Sequence, residues 1–212
     1  MKDIVIVDYG MGNIKSIQRG LEQVGASVIL SSDPVVITNA SRLVLPGVGA
    51  FYDGMKGLQN AGLVNAIHDF VRIGNPLLGI CLGMQMLLDQ SEEHGIHTGL
   101  GLIPGNVKMI PESNHGEFSR KIPHIGWTQI KNPGFQNWKG SCLDDIQAGE
   151  YFYFVHSFMA VPEKKEYLLA QCEDEGLLVA AAIKRDNIIG LQFHPEKSGK
   201  AGLKILHKFI NT

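Results

Sequence analysis

The sequence predicts an α/β fold: a doubly wound, mixed but mainly parallel sheet with flanking helices and an antiparallel extension. Three features point to it. Short, unbroken apolar runs rich in β-branched residues read as strands buried on both faces. In the first half of the chain, segments with apolar residues three and four apart separate these runs. From about Leu100 the pattern changes to short strands punctuated by glycine and proline.

Ile4 to Val7 is the first strand, and it ends in Asp8-Tyr9-Gly10-Met11-Gly12-Asn13. Asn13 suits the N-cap of a helix over Ile14 to Val24, in which Ile14, Ile17, Leu21 and Val24 share a face. Gly25 suits the C′ position that closes it. Ser27 to Leu30 and Arg42 to Leu45 read as the next strands, the second running into Pro46-Gly47-Val48-Gly49. A helix over about Leu63 to Ile73 leads to the strand Leu77 to Ile80, and a helical run, Met84 to Leu88, follows. In the second half strands are expected over Val107 to Ile110, Trp127 to Ile130, Tyr151 to Val155, Leu168 to Gln171, Leu178 to Ile183 and Ile188 to Phe193. Arg185-Asp186-Asn187 should turn the last two into a hairpin. Leu203 to Ile210 reads as a closing helix. No repeat divides the chain, so this half reads as an extension of the first sheet and residues 1–212 as a single domain.

Composition narrows the function. The chain has 212 residues, 44% of them apolar, which suffices for a core without disulfides. With 19 basic against 21 acidic side chains, a net charge of -2 and no block of like charge, no nucleic-acid or anionic-membrane partner is expected. The apolar stretches Leu77 to Leu88 and Leu177 to Ile183 fall short of the ~20 residues a membrane span needs. Acidic residues on both sides of Ile4 to Val7 are unlike a secretory signal, so a cytoplasmic location is expected. Cys81, Cys142 and Cys172 form no C-x-x-C pair. His94 and His97 lie in a glycine-containing loop without ligand-type partners, and no other histidine has metal-ligand spacing. Gly10-Met11-Gly12 lacks the third glycine and the distal acid of a dinucleotide site. No metal and no cofactor is expected.

The strongest local signal is Gly79-Ile80-Cys81-Leu82-Gly83-Met84-Gln85, directly after a strand and opening a helical run. This is the setting of a nucleophile elbow, with cysteine as the nucleophile. A sharp turn brings backbone so close that side chains at the flanking positions would clash, and the N–H groups of the following helix face any oxyanion that develops. A cysteine among small residues is also the pattern of an inert core thiol. Gln192-Phe193-His194-Pro195-Glu196 ends the last predicted strand. A spacing of two on extended backbone sends His194 and Glu196 to one face, where the carboxylate can orient the imidazole. Cysteine, histidine and acid together are the parts that covalent acyl chemistry requires. The loop Gly47-Val48-Gly49, at the carboxyl edge of a parallel strand, can aim an N–H across the crevice as a second oxyanion donor.

Together these segments resemble the class I, or triad, glutamine amidotransferases, whose elbow reads G-x-C-x-G-x-Q. Several further stretches are similar to the glutaminase subunits of imidazole glycerol phosphate synthase: Asp8 to Asn13, Met84 where other branches usually carry His, Pro123-His124-Ile125-Gly126-Trp127, Tyr153 to Ser157 and His194 to Ser198. The likeness runs over essentially the whole chain. It implies a flavodoxin-like sheet and an enzyme acting on L-glutamine. Cys81 would attack the side-chain amide to form a γ-glutamyl thioester, His194 would protonate the departing ammonia and activate water, and Glu196 would orient His194. The N–H of Leu82 and one from Gly47, Val48 or Gly49 would hold the oxyanion. Gly49, Gln85, Ser157 and Phe158 would bind the α-carboxylate and amino group, with Glu93 assisting. The ammonia would pass to a barrel-type, (β/α)₈ cyclase in a heterodimer, with Asn13, Pro123, Ile125, Trp127 and Lys197 at the interface. Trp127 also fits a core position. Thr128, where the family usually has Asn, and Gly199-Lys200-Ala201-Gly202 depart from the pattern. They leave open a paralogue that feeds ammonia to a cyclase-like partner in surface-polysaccharide sugar biosynthesis, and a partner-binding module without activity also fits the fold.

Overall fold

The computed structural model describes residues 3–112, 121–135, 137–147 and 149–212. The parallel part of the main sheet is built from β1 (Asp3–Val7), β2 (Ser27–Ser31), β3 (Leu43–Leu45) and β4 (Leu77–Ile80). β1 pairs with β2 on one side and β3 on the other, and β3 pairs with β4. The unbroken apolar runs are the inner strands: β3 and β4 are buried throughout, whereas edge strand β2 exposes Ile29 and Leu30. α1 (Ile14–Gln23) and α2 (Pro34–Thr38) connect β1 to β2 and β2 to β3. α3 (Phe51–Asn60) and α4 (Leu63–Arg72) lie between β3 and β4. Asn13 stands at the N-cap of α1, but its side chain makes no capping hydrogen bond.

After β4 the chain turns directly into α5 (Leu82–Met86), starting two residues earlier than the apolar periodicity suggests, because the helix begins at the turn itself. Later come β5 (Gln90–Ser91), β6 (His97–Thr98), β7 (Gly105–Met109), β8 (His124–Lys131), β9 (Tyr151–His156), β10 (Phe158–Pro162), β11 (Leu168–Asp174), β12 (Leu177–Arg185) and β13 (Ile188–Leu191). The main sheet runs β2-β1-β3-β4-β13-β12-β11-β8-β9. β13 is parallel to β4, and the strands beyond it are antiparallel, the expected extension. Arg185 pairs with Ile188 around the predicted turn, where Asp186 takes a φ of 52°.

One strand is placed differently from the sequence reading. β7 does not extend the main sheet but joins a separate four-stranded sheet of order β10-β7-β5-β6. The two sheets are linked at Ser157, where the chain leaves β9 and enters β10. No break in apolar pattern marks that crossing.

α3 was not evident from the sequence because Gly54 and Gly57 weaken its propensity. Both glycines are places of close approach. A Cβ on Gly54 would stand 2.7 Å from the Met86 sulfur, and one on Gly57 would stand 2.9 Å from the Tyr9 ring. Two apolar layers cover the sheet. One gathers Ile17, Leu21, Phe152, Phe193 and residues of α6 (Gly199–Asn211), the other Phe51, Leu58, Phe70, Leu82 and Met84. Among the described residues no helix is long and apolar enough to cross a membrane.

Candidate active site

Cys81 occupies the turn between β4 and α5 with φ 55° and ψ −112°, a left-handed backbone unusual for a residue with a Cβ. Its N–H is tied to the Leu191 carbonyl at 2.7 Å, so the neighbouring strand β13 fixes the turn. Three glycines let the backbone fold this tightly. A Cβ on Gly79 would lie 2.8 Å from the Gly83 carbonyl oxygen, one on Gly47 would lie 2.7 Å from the Gly83 nitrogen, and one on Gly83 would overlap the Leu45 carbonyl. The Pro46–Gly49 loop therefore lies directly against the elbow. Tyr9 secures it by donating its hydroxyl to the Pro46 carbonyl at 2.7 Å, and burial pushes that phenol well above its usual range.

β13 ends at Leu191, two residues short of the expected strand, and His194 follows it into the 3₁₀ turn Pro195–Lys197, so it is this turn and not strand alternation that brings Glu196 to His194. His194 Nδ1 and Glu196 Oε1 are 2.8 Å apart, and both side chains are almost wholly buried. Burial alone would lower the basicity of this imidazole, but the Cys81 sulfur and the Glu196 carboxylate outweigh it and raise its pKa to about 9. Nε2, the opposite edge of the ring, is buried and has no hydrogen-bond partner among the described residues. Ser198 braces the segment, donating to the His194 carbonyl at 2.6 Å and accepting from the Tyr153 N–H at 3.0 Å.

Cys81 and His194 line a cavity of about 640 Å³, whereas Glu196 lies behind His194 and does not reach the cavity wall. Of the residues expected there, Val48, Gly49, Cys81, Leu82, Gln85, Glu93, Ser157, Phe158 and His194 line it. Gly47 packs behind, against Gly83 and Leu82. One carboxylate oxygen of Glu93 accepts the Phe51 N–H at 2.7 Å, at the start of α3. His156, also on the cavity wall, is held neutral. Burial lowers its pKa to about 4, and its Nδ1–H donates to the Phe158 carbonyl at 2.9 Å.

Of the expected interface residues, Ile125 and Trp127 lie on β8, Pro123 just before it and Lys197 in the turn Pro195–Lys197, whereas Asn13 stands apart in sequence at the N-cap of α1. Ile125 and Trp127 are 60% and 54% exposed, so Trp127 is no core residue, a place that Trp138 takes instead. The Trp127 and Tyr153 rings meet edge to face at 5.9 Å, and the Lys197 ammonium stands 5.8 Å from the Tyr153 ring centre. Pro123 is exposed beside them in sequence and also belongs to the cavity wall. Tyr9, Gln192 and Ser198 carry no role in the sequence reading, yet each touches the site. For Gln192 a signal was present in its place two residues before His194, within the strand the sequence predicts to Phe193, although β13 itself ends at Leu191.

A class I glutamine amidotransferase family model matches residues 5–212. Among curated proteins, the chain is 47% identical over 211 residues to the imidazole glycerol phosphate synthase subunit HisH 1 of Legionella pneumophila strain Lens, covering 99% of both chains. It is 44% identical over 214 residues to HisH of Geobacter sulfurreducens, covering 99% of this chain and 98% of that one. Among solved structures, PurLQS from Thermotoga maritima superimposes with a TM-score of 0.71 at 19% identity, covering 99% of this chain and 98% of the other. That last likeness bears on the fold alone. The protein is an enzyme of the glutamine amidotransferase class. It belongs, within the class I family, to the HisH line.

Proposed function

We propose that this chain is the glutaminase subunit of an imidazole glycerol phosphate synthase in histidine biosynthesis, hydrolysing L-glutamine and passing the ammonia to a (β/α)₈ cyclase. The observation that carries the reading is that Cys81, in a strained elbow, and His194, paired behind the cavity wall with the buried Glu196, line one cavity. The 47% identity to a HisH protein over nearly the whole of both chains supports the choice of pathway.

The geometry supports the following chemistry. Cys81 passes its proton to His194 and its Sγ attacks the side-chain carbonyl carbon of glutamine, and the carbonyl oxygen gains charge facing the first turn of α5 and the Val48–Gly49 loop. His194 hands a proton to the amide nitrogen, the C–N bond breaks, and ammonia leaves behind a γ-glutamyl thioester. His194 then takes a proton from water, whose oxygen displaces the sulfur and releases glutamate. Glu196 keeps the ring oriented and its cationic form stable through both steps. The polar groups of Gln85, Gly49, Ser157 and Phe158 would hold the α-amino and α-carboxylate ends, and buried polar contacts of this kind give a selectivity that an apolar pocket lacks. The exposed Ile125 and Trp127 would meet the cyclase.

A glutamine-analogue diazo-ketone should alkylate Cys81 when the partner is present, read by peptide mass spectrometry. Absence of any adduct would sink the reading. Cys81→Ala should abolish synthesis from glutamine yet leave ammonia-dependent synthesis by the complex intact, and loss of both activities would argue against a separate ammonia source.

A further inference from the structure

We propose that Gln192 is a positioning residue that couples the substrate anchor Gln85 to the nucleophile Cys81, an inference resting on the glutaminase reading above. Gln192 is fully buried, and its backbone N–H is tied to the Ala181 carbonyl at 2.9 Å. Its side-chain amide bridges two groups: Oε1 lies 3.0 Å from Gln85 Nε2, and Nε2 lies 3.7 Å from Cys81 Sγ.

A single carbonyl dictates which end of each amide points where. Gln85 makes a further contact of 3.0 Å to the main-chain oxygen of Phe158. A carbonyl oxygen only accepts, so the Gln85 atom facing it is the NH₂ group. Both Gln85 protons are then spent, one on Phe158 and one on Gln192. The oxygen of Gln85 is what remains to offer a ligand, which makes Gln85 an acceptor, suited to an ammonium group and not to a carboxylate. The Gln192 atom facing Gln85 must in turn be oxygen. Its NH₂ group therefore faces the Cys81 sulfur as a donor, and a thiolate accepts such a bond far better than a thiol. Gln192 thus approaches the sulfur as a neutral donor, while His194, two residues on, lines the same cavity as Cys81 and carries the proton.

Two substitutions separate the roles. Gln192→Glu keeps an acceptor for Gln85 but brings no amide donor to the sulfur, whereas Gln192→Leu removes both. Iodoacetamide is small and carries no amino-acid end, so its rate of reaction with Cys81 reads the sulfur alone. Cys142 and Cys172 do not compete, because burial pushes both thiols to about 12. The KM for glutamine, measured with the cyclase present, reads Gln85. Gln192→Leu should slow alkylation and raise KM, each by about tenfold, the size expected for one hydrogen bond to a charged group. Gln192→Glu should bring KM back to within about threefold of the parent while alkylation stays slow. Equal effects of the two substitutions on both readouts, as a purely structural role would give, overturn the proposal. So does a Gln192→Leu protein that matches the parent in both. If the parent chain forms no adduct with the diazo-ketone, it is the glutaminase reading that fails; an adduct there with either of the former results sinks only the role of Gln192.

Discussion

Cys81 holds a backbone conformation that costs a residue with a Cβ on the order of 1–3 kcal/mol, and the surrounding bonds over-determine it. The reward is a sulfur set at a turn where Gln192, His194 and the helix start converge. Glu196 offers the plainest test of that arrangement. Glu196→Gln leaves a group able to accept from His194 but removes the charge, so glutamine-dependent kcat should fall by about 100-fold or more, measured as glutamate release. His156 permits a second test, of stability. Its pKa is about 4 in the folded chain against the ordinary 6.5, so between those values the unfolded chain binds the extra proton and folding is opposed. Stability should therefore fall as pH drops from 6.5 towards 4, by at most about 3 kcal/mol from this group. His156→Gln, which can still donate to the Phe158 carbonyl, should lose less between about pH 7 and about pH 5 than the parent, measured as the thermal midpoint at each pH. An equal loss would show that other groups dominate.

Among the elements, the short turn Pro195–Lys197 and α6 form one unit behind the imidazole. The Gly202 N–H bonds the Ser198 carbonyl, and a Cβ at Gly202 would overlap the Pro195 carbonyl. Gly202→Ala should therefore push α6 off the turn that carries Glu196. The expected cost is ~1–3 kcal/mol, a fall of roughly 3–10 °C in the thermal midpoint, with glutaminase activity reduced as well. An unchanged midpoint would mean that the helix shifts freely. Elements were legible wherever burial wrote a simple period. β4 spans the expected residues, and α1, β1 and the β12–β13 hairpin lie within a residue or two of theirs. Those missed follow no such period. α2 is a five-residue helix where the segment around Pro34 reads as a loop, α3 contains two glycines, β5 and β6 are two residues each, and β10 continues β9 without a change in composition.

On the scale of the whole molecule, one side of the main sheet ends in β8 and β9 with an aromatic and aliphatic surface open to solvent. Exposed Ile125 and Trp127, with Tyr153 and Lys197 around them, form a patch of the kind that buries on association. Trp127→Ala should weaken binding of the cyclase by about 30-fold or more, the loss of a hot-spot aromatic, as measured by titration calorimetry. The folded chain itself should keep its thermal midpoint, because the side chain supports no core; a destabilised but still tight-binding variant would contradict this surface role.

The sequence alone determined the alternation of strands and helices, the elbow around Cys81 and the pairing of His194 with Glu196, because each is written in residues close together along the chain. A tight turn needs its glycines nearby, and His194 and Glu196 are two residues apart, so they meet although the strand ends at Leu191 and Glu196 sits in the 3₁₀ turn Pro195–Lys197 and not on the extended backbone the sequence suggests. The tertiary structure decided what depends on contacts between distant segments. It set β7 in a second sheet, brought the Pro46–Gly49 loop against Gly83, turned Trp127 outward, and aimed the Gln192 amide from the end of β13 at both Gln85 and Cys81. Local periodicity says whether a residue is buried, but which partner it meets is settled only when the strands take their order in the sheet.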